Sequence, residues 1–201
     1  MNEQELEVKF YLKNSAAIEK KLKHEGANLV QPRIFETNLR FDTPGEDLAR
    51  DGKVLRLRQD ARALLTYKGP NQPNQGVSIR QEIEFLVSDF SAARHLIEAL
   101  GYQIAVVYEK YRTTYMIGKT EVVLDELPYG DFVEIEGPDA HAIQEVALTL
   151  GLAWETRSTD SYIGLFNQLC AKRNLAFRDL TFANFEEIEV TPEELGLQYA
   201  D

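Results

Sequence analysis

Hydrophobic and polar residues alternate along much of the chain with the period of a β-strand. Segments with this period run over residues 3–12, 34–42, 53–59, 63–69, 77–87, 104–116, 121–127 and 131–136. Because successive side chains in a strand point to opposite faces, each segment is predicted to be a strand with one apolar and one polar face.

Other segments have helical spacing, over residues 15–26, 90–100, 139–151 and 160–174. Gly26, Gly101 and Gly151 end the first three of them. The segment 69–76 is rich in Gly, Pro and Asn and is predicted to be a loop. Together these elements predict an α+β fold, an eight-stranded antiparallel β-barrel with helices packed on the outside, since closure leaves no unpaired strand edge.

The pattern weakens beyond about residue 175. Phe177, Leu180, Phe182 and Phe185 still supply apolar side chains there, so this tail is predicted to pack on the body of the protein. We therefore divide the chain into a barrel domain over residues 1–175 and a C-terminal extension over residues 176–201, whose role the sequence does not indicate.

Charged residues fall on one face of nearly every predicted strand. In the first strand Glu5, Glu7 and Lys9 share a face, with apolar residues between them. The later strands repeat this arrangement with Arg56 and Arg58, Lys68, Arg80 with Glu82 and Glu84, Lys110 and Arg112, Asp125, and Glu134 with Glu136. Six or seven strands thus present an apolar face and a charged face.

Two structures are compatible with this pattern. Either the apolar faces fill the barrel and the charges face water, or the charged faces line a wet tunnel and helices cover the apolar faces. The number of amphipathic helices, the choice of Glu and Arg, and the near balance of the two signs favour the tunnel, because enclosed charges require compensation. Such a tunnel would suit a triphosphate, held by Arg and Lys, with divalent cations on the carboxylates.

The composition narrows the function classes. The formal net charge is −11, which argues against a nucleic-acid partner. Cys170 is the only cysteine, so a disulfide framework is excluded, and the three histidines lack metal-ligand spacing. We expect no signal peptide and no membrane span, and therefore a cytoplasmic location.

The motif Glu5-Leu6-Glu7-Val8-Lys9 resembles the ExExK signature of the CYTH superfamily, the triphosphate tunnel metalloenzymes. Further marks follow in the order of that family, over about residues 3–170: Leu55-Arg56-Leu57-Arg58, Thr66-Tyr67-Lys68-Gly69-Pro70, Glu82-Ile83-Glu84, Lys110-Tyr111-Arg112, Leu124-Asp125, and Gly130-Asp131-Phe132-Val133-Glu134-Ile135-Glu136-Gly137. The resemblance implies an eight-stranded barrel with a central tunnel.

The resemblance also implies roles for the charged residues. The implied triphosphate-binding residues are Lys9, Arg56, Arg58, Lys68, Lys110 and Arg112. The implied ligands of Mg²⁺ or Mn²⁺ are Glu5, Glu7, Asp125, Glu134 and Glu136, with Glu82 and Glu84 as further ligands or as their neighbours. Arg80 is a further candidate phosphate contact. Many relatives carry a basic residue before a Ser-Tyr pair near the last helix, but here Asp160 takes that place, and Arg157 is the candidate substitute.

The runs around Lys68 and Glu134 look most like those of bacterial class IV adenylyl cyclases, which implies conversion of ATP to cyclic AMP and pyrophosphate. The alternative is a hydrolase of inorganic tripolyphosphate, thiamine triphosphate or a nucleotide, and a third reading is a non-catalytic polyphosphate- or nucleotide-binding module. The sequence contains no base-recognition signature and no evident general base, so these readings stay open. A homodimer is compatible with the resemblance, because cyclase-type relatives are often dimers.

Overall fold

The computed structural model describes residues 3–72 and 77–201. Within these ranges the chain forms a closed antiparallel β-barrel, which confirms the predicted fold class. Its strands are β1 (Glu3–Leu12), β2 (Asn28–Asp42), β3 (Val54–Gln59), β4 (Ala63–Lys68), β5 (Ser78–Val87), β6 (Gln103–Ile117), β7 (Thr120–Leu127) and β8 (Gly130–Glu136). Around the barrel they follow the order β1-β5-β4-β3-β2-β6-β7-β8.

The helices of the described ranges are α1 (Ser15–His24), α2 (Asp47–Arg50), α3 (Phe90–Ala99), α4 (Ala140–Thr149) and α5 (Tyr162–Arg173). The side chains of Asn14, Asp89, Asp139 and Ser161 cap the four longer helices by accepting a backbone N–H of the first turn. These four helices are the predicted ones. The single turn α2 was not predicted, because four residues are too short for a helical period to show.

The strand β2 begins at Asn28, well before the predicted start at residue 34. Its register against β6 shifts between Leu29 and Gln31 and again between Gln31 and Ile34. Such irregularities break the alternation of side chains, which is why the pattern did not reveal this part of the strand. The predicted loop 69–76 can be followed only to residue 72, and residues 73–76 lie outside the described part of the chain.

The hydrophobic core lies outside the barrel, between strands and helices. Val8 and Phe10 of β1 and Val133 and Ile135 of β8 are all fully buried. They pack in one cluster with apolar residues of α1 and α4, namely Ile18, Leu22, Ile143 and Ala147. Because these apolar faces point outward under the helices, the charged faces of the same strands must point into the barrel.

A second cluster, the aromatic cluster, contains Tyr11, Tyr108, Tyr129, Phe132, Tyr162, Phe166, Leu180 and Phe185 among its members. It joins the barrel to α5 and to the C-terminal segment. Leu180 exchanges backbone hydrogen bonds with β6, accepting from Glu109 at 2.9 Å and donating to Val107 at 2.9 Å. The backbone N–H of Ala200 donates to the carbonyl oxygen of Tyr11 of β1, so the segment after α5 pairs with the backbones of both β6 and β1. No helix in the described ranges has both the length and the apolar character needed to cross a membrane.

Candidate active site

A cavity of about 510 Å³ lies inside the barrel, and we call it the tunnel. Charged side chains of both signs line it. The acidic residues are Glu5, Glu7, Glu36, Asp60, Glu82, Glu84, Glu121, Glu134 and Glu136, and the basic residues are Lys9, Arg40, Arg56, Arg58, Arg62, Lys68, Arg80, Lys110 and Arg112. Of the two arrangements compatible with the sequence pattern, the structure has the tunnel.

One group of charges gathers around Lys9 of β1. Its ammonium group lies 2.6 Å from Oε1 of Glu7 and 3.4 Å from Oε2 of Glu134 of β8. Burial alone would lower the pKa of Lys9, but Glu134 and Glu7 raise it above its ordinary value. Burial raises the pKa of Glu7, whereas Lys9 and Arg112 hold the pKa of Glu134 well below the ordinary value in spite of its burial. The charged ammonium group of Lys9 therefore lies between a carboxyl group whose pKa is raised, Glu7, and one whose pKa is lowered, Glu134.

Asp125 of β7 collects donors from several elements. Its carboxylate accepts from Nζ of Lys110 at 2.9 Å, from Nε and Nη2 of Arg112 at 2.7 and 2.6 Å, and from the hydroxyl of Tyr162 at 2.9 Å. The side chain is buried and is not among the described residues that line the tunnel. Although burial opposes ionisation, Arg112 and Lys110 lower the pKa of Asp125. The structure thus places Asp125 in the wall, where it orients two tunnel cations.

The side chain of Lys68 on β4 contacts carboxyl groups on both β1 and β5. Its Nζ donates to both oxygens of Glu5, at 2.6 and 2.7 Å, and lies 3.2 Å from Oε2 of Glu82. Burial raises the pKa of Glu5, and Lys68 opposes that rise. Lys68 therefore neutralises a pair of carboxyl groups that would otherwise repel each other.

The arginines of β3, the strand next to β4, form another part of the tunnel wall. Arg56 donates to the hydroxyl of Tyr108 at 3.3 Å and to Oγ1 of Thr66 at 3.2 Å, and its Nη2 is 3.4 Å from Glu84. Arg58 lies 3.6 Å from Glu36, 3.6 Å from Asp60 and 3.9 Å from Glu84. These are looser contacts than those of Lys9 or Lys68. This wall and neighbouring β2 also contain buried polar atoms that have no hydrogen-bond partner in the described ranges. They are Oε2 of Glu36, Nδ2 and Oδ1 of Asn38, Nε of Arg56 and Nε of Arg58.

One part of the tunnel gathers carboxyl groups that form no ion pair with the described residues. Glu136 of β8 stands across from Glu7 of β1 and from Glu121 of β7 in the strand register. Burial, helped by Glu5, Glu134 and Glu121, raises the pKa of Glu136 to about 8, and burial also raises the pKa of Glu121. Such mutual repulsion, among oxygen donors, fits a divalent cation of the Mg²⁺ or Mn²⁺ type. Across residues 3–72 and 77–201, no three acidic, His or Cys side chains are already gathered closely enough to hold one.

The two candidate phosphate contacts differ in position. Arg80 of β5 lines the tunnel, and its guanidinium donates to the carbonyl oxygens of Gly69, at 2.9 and 3.1 Å, and of Gly52 at 3.3 Å. Arg157 stacks on the ring of Trp154 with 4.6 Å to the ring centre and lines a separate groove instead of the tunnel. The structure therefore brings together all the predicted triphosphate-binding cations and Arg80, but does not bring Arg157 to them.

Sequence reasoning missed several tunnel residues. Glu36 and Arg40 share a face of β2, Glu121 lies near the start of β7 on the same face as Asp125, and Tyr108 lies two residues before Lys110 on β6. The sequence could have revealed them, since each lies at the two-residue spacing that places it on the charged face of its strand. Tyr162 is a further case: its ring lies 5.4 Å from Nζ of Lys9 and 5.2 Å from Nζ of Lys110, a contact that only the position of α5 creates.

Comparison with known proteins places this site in a family. Adenylate cyclase CyaB of Aeromonas hydrophila is 31% identical over 142 residues, which cover 64% of this chain and 70% of the relative. Two solved structures share the fold: a candidate adenylate cyclase of Vibrio parahaemolyticus (TM-score 0.71, 23% identity, 81% of this chain and 97% of that one) and a Hippeastrum protein (TM-score 0.61, 18% identity, 96% and 100%). The latter is described as a candidate adenylyl cyclase with a dominant triphosphatase activity. The CYTH domain model matches residues 3–151, and the chain therefore belongs to the CYTH family.

Proposed function

We propose that this protein is a divalent-metal-dependent enzyme that acts on a triphosphate in its tunnel, with ATP cyclisation to cyclic AMP and pyrophosphate as the leading reaction. The observation that carries this proposal is the tunnel lining, in which buried cations and an unbalanced carboxylate group share one enclosed space. A triphosphate with its divalent cation would supply negative charge to the buried cations and positive charge to the carboxyl groups.

The cations are the proposed phosphate ligands: Lys9, Arg56, Arg58, Lys68, Lys110 and Arg112. Each of them lies within 4 Å of a carboxylate, and those contacts hold the cations in the tunnel lining. Phosphate oxygens can take over the same donors, because Arg and Lys bind phosphate and carboxylate in similar ways. The carboxylates of Glu5 and Glu7, released from Lys68 and Lys9 in this exchange, would then be available to a metal ion.

The proposed metal ligands are Glu5, Glu7, Glu134 and Glu136, with Glu82, Glu84 and Asp125 as the further members of the predicted set. Among them, Asp125 is the one whose oxygens already hold Lys110, Arg112 and Tyr162, and we assign it to positioning these groups. A divalent cation bound there would withdraw charge from the phosphate oxygens.

In the cyclase reading the ribose 3′-hydroxyl attacks the α-phosphorus and pyrophosphate leaves. The arginine and lysine side chains bind the departing pyrophosphate, whose negative charge grows as the bond to the α-phosphorus breaks.

A triphosphatase is the second candidate, and the character of the lining favours it. The part of the tunnel described above is dominated by charged side chains, which suit inorganic tripolyphosphate or any triphosphate tail. The Hippeastrum protein with the same fold has a dominant triphosphatase activity, so the fold accommodates both reactions. A cytoplasmic location and a homodimer remain predictions.

Product identification separates these candidates. The purified protein is incubated with ATP or with inorganic tripolyphosphate, plus Mg²⁺ or Mn²⁺, and the products are resolved by ion-exchange chromatography. Cyclic AMP with pyrophosphate supports the cyclase, whereas orthophosphate from either compound supports the hydrolase. If neither is turned over but both bind, the non-catalytic module is the correct reading.

A matched pair of variants tests the metal assignment. Glu7→Gln removes a proposed ligand, and we expect its metal-dependent turnover to fall at least about 100-fold. Glu145→Gln, on the exposed face of α4, makes the same chemical change away from the tunnel and should keep wild-type turnover. Full activity of Glu7→Gln would rule out the metal assignment.

A further inference from the structure

Arg40 of β2 is a tunnel cation that forms no ion pair with the described residues. It lines the cavity and is the cross-strand partner of Arg56 of β3. The six proposed phosphate ligands each have a carboxylate within 4 Å, but the guanidinium group of Arg40 has neither an ion pair nor a hydrogen bond with the described residues. The acid nearest in sequence is Asp42, and its carboxylate oxygens accept hydrogen bonds from the backbone N–H groups of Thr43, Leu48 and Ala49.

Two more guanidinium groups influence Arg40. Burial lowers the pKa of Arg40, and the positive charges of Arg80 and Arg56 lower it further. Arg80 is held in place by the backbone carbonyls of Gly69 and Gly52, and it has no carboxylate within ion-pair distance in the described part of the chain. Glu84 lies 3.4 Å from Arg56, and the negative charge of Asp42 acts on Arg40 from beyond ion-pair distance. Among the described residues, Arg40 and Arg80 thus have no carboxylate in ion-pair contact, and three guanidinium groups gather at this wall.

This cluster of guanidinium groups suits the most highly charged group of the proposed substrate. A terminal phosphate carries about −1.5 to −2 charges near pH 7 and offers three non-bridging oxygens. An internal phosphate of the chain carries about one charge and offers two such oxygens. Planar guanidinium forks bind such oxygens in pairs, and several forks can share one terminal group.

We infer that Arg40, together with Arg56 and Arg80, forms the subsite for the terminal phosphate of a linear triphosphate. The inference rests on the proposed function and extends it, because it names the end of the substrate that this wall recognises. It also explains why the wall holds an uncompensated charge: the free protein bears repulsion among the arginines, which the bound phosphate relieves. Arg40 is therefore a binding residue whose charge does not stabilise the free protein.

The variant Arg40→Gln tests this assignment by calorimetry at a fixed salt concentration, with EDTA and again with Mg²⁺. Inorganic tripolyphosphate has terminal phosphates, whereas cyclic trimetaphosphate has three phosphates and none that is terminal. We expect Arg40→Gln to bind tripolyphosphate about 10- to 100-fold more weakly, since one charge-assisted contact is lost. Its affinity for trimetaphosphate should stay within about threefold of wild type.

Two further measurements separate binding from a structural role. The ligand-free Arg40→Gln protein should have a melting temperature equal to or above that of wild type, because a repelled charge is gone. Arg40→Lys keeps the charge but loses the fork, so its tripolyphosphate affinity should fall between the other two. The control Arg94→Gln makes the same charge change on the exposed face of α3 and should bind both phosphates as wild type does.

The opposing outcomes are distinct. If Arg40→Gln binds tripolyphosphate as wild type does, or melts several degrees lower without ligand, the subsite is wrong while the proposed function stands. If it loses affinity for the linear and the cyclic compound equally, Arg40 acts through general electrostatics and the assignment to a terminal phosphate is wrong. If wild type binds tripolyphosphate under neither condition, the proposed function fails together with the subsite.

Discussion

Asp125 shows how a single residue organises the tunnel. Its carboxylate holds Lys110, Arg112 and the hydroxyl of Tyr162, so it connects strands β6 and β7 with helix α5. The family motif predicted a metal ligand at this position, but the motif cannot show how many donors already surround a carboxylate. The side-chain contacts come from three separate parts of the chain, and therefore only the folded structure reveals them.

Replacing Asp125 should destabilise the protein strongly. Asp125→Asn removes the nearest carboxylate of Lys110 and Arg112 and leaves them only the 3.7 Å contacts to Glu36 and Glu134. We expect the free energy of unfolding to fall by about 3–5 kcal/mol in urea denaturation. Its neighbour Glu126 pairs with Arg33 at the exposed surface, so Glu126→Gln should cost less than about 1 kcal/mol. Equal losses in the two variants would contradict the central role of Asp125.

Glu136 should make the ligand-free protein less stable as pH rises. Its folded pKa is about 8 against an ordinary value of 4.5, so the folded state holds this proton more tightly than the unfolded state does. The resulting stabilisation is complete below about pH 4.5 and is lost as pH rises through about 8. Urea denaturation in EDTA across this range should show the decline, and Glu136→Gln should make it shallower, although other carboxyl groups with raised pKa values, such as Asp131, still contribute. A decline as steep in the variant as in wild type would show that Glu136 titrates normally.

At the scale of elements, α5 and the segment after it close the structure around the tunnel. Tyr162, the first residue of α5, lines the tunnel and contacts Asp125, while Phe166 packs in the aromatic cluster. The later segment presses on the same cluster through Leu180 and Phe185. Tyr162 thus contributes to the wall of the tunnel, although it lies outside residues 3–151, which the family model matches.

Leu180 offers a direct test of this segment. It is fully buried, so Leu180→Ala should lower the free energy of unfolding by about 2–5 kcal/mol. It should also speed amide hydrogen exchange in α5, because the helix loses part of its support. Glu187→Ala in the same segment is exposed and should leave both properties unchanged. Wild-type stability of Leu180→Ala would mean that the segment rests on the barrel without stabilising it.

At the scale of the whole molecule, the barrel encloses many charges inside a protein of net charge −11. Closure of the sheet and coverage of its outer face by α1, α3 and α4 make this arrangement stable. The enclosed charges compensate one another only in part, since Arg40 and Glu136 lie in regions of like charge. A bound polyanion with a divalent cation should therefore stabilise the whole fold.

Ligand binding should accordingly raise the melting temperature. Tripolyphosphate with Mg²⁺, at about 100 times its dissociation constant, should add about 2.7 kcal/mol to the free energy of unfolding. Differential scanning calorimetry measures the effect, with sodium sulfate at the same ionic strength as the control for salt. A shift no larger than that with sulfate would show that the tunnel does not bind the polyanion specifically.

Much of this architecture was predictable from the sequence. Alternation along the strands determined which residues share a face, and the order of the charged motifs determined the family. The alternation alone identifies Lys9, Lys68 and Arg112 as members of charged strand faces. These features are local, or follow from matching the chain segment by segment, so no long-range contact is needed to detect them.

The tertiary structure decided the rest. Alternation defines two faces of a strand but not which face is enclosed; closure of the barrel under the helices turned the charges inward. Strand register then paired Arg40 with Arg56 and set Glu121 across from Glu136, while the packing of the chain turned Asp125 into the wall and kept Arg157 away from the tunnel. Each of these outcomes depends on contacts between residues far apart in sequence, and the pattern of one strand carries no information about its partner across the barrel.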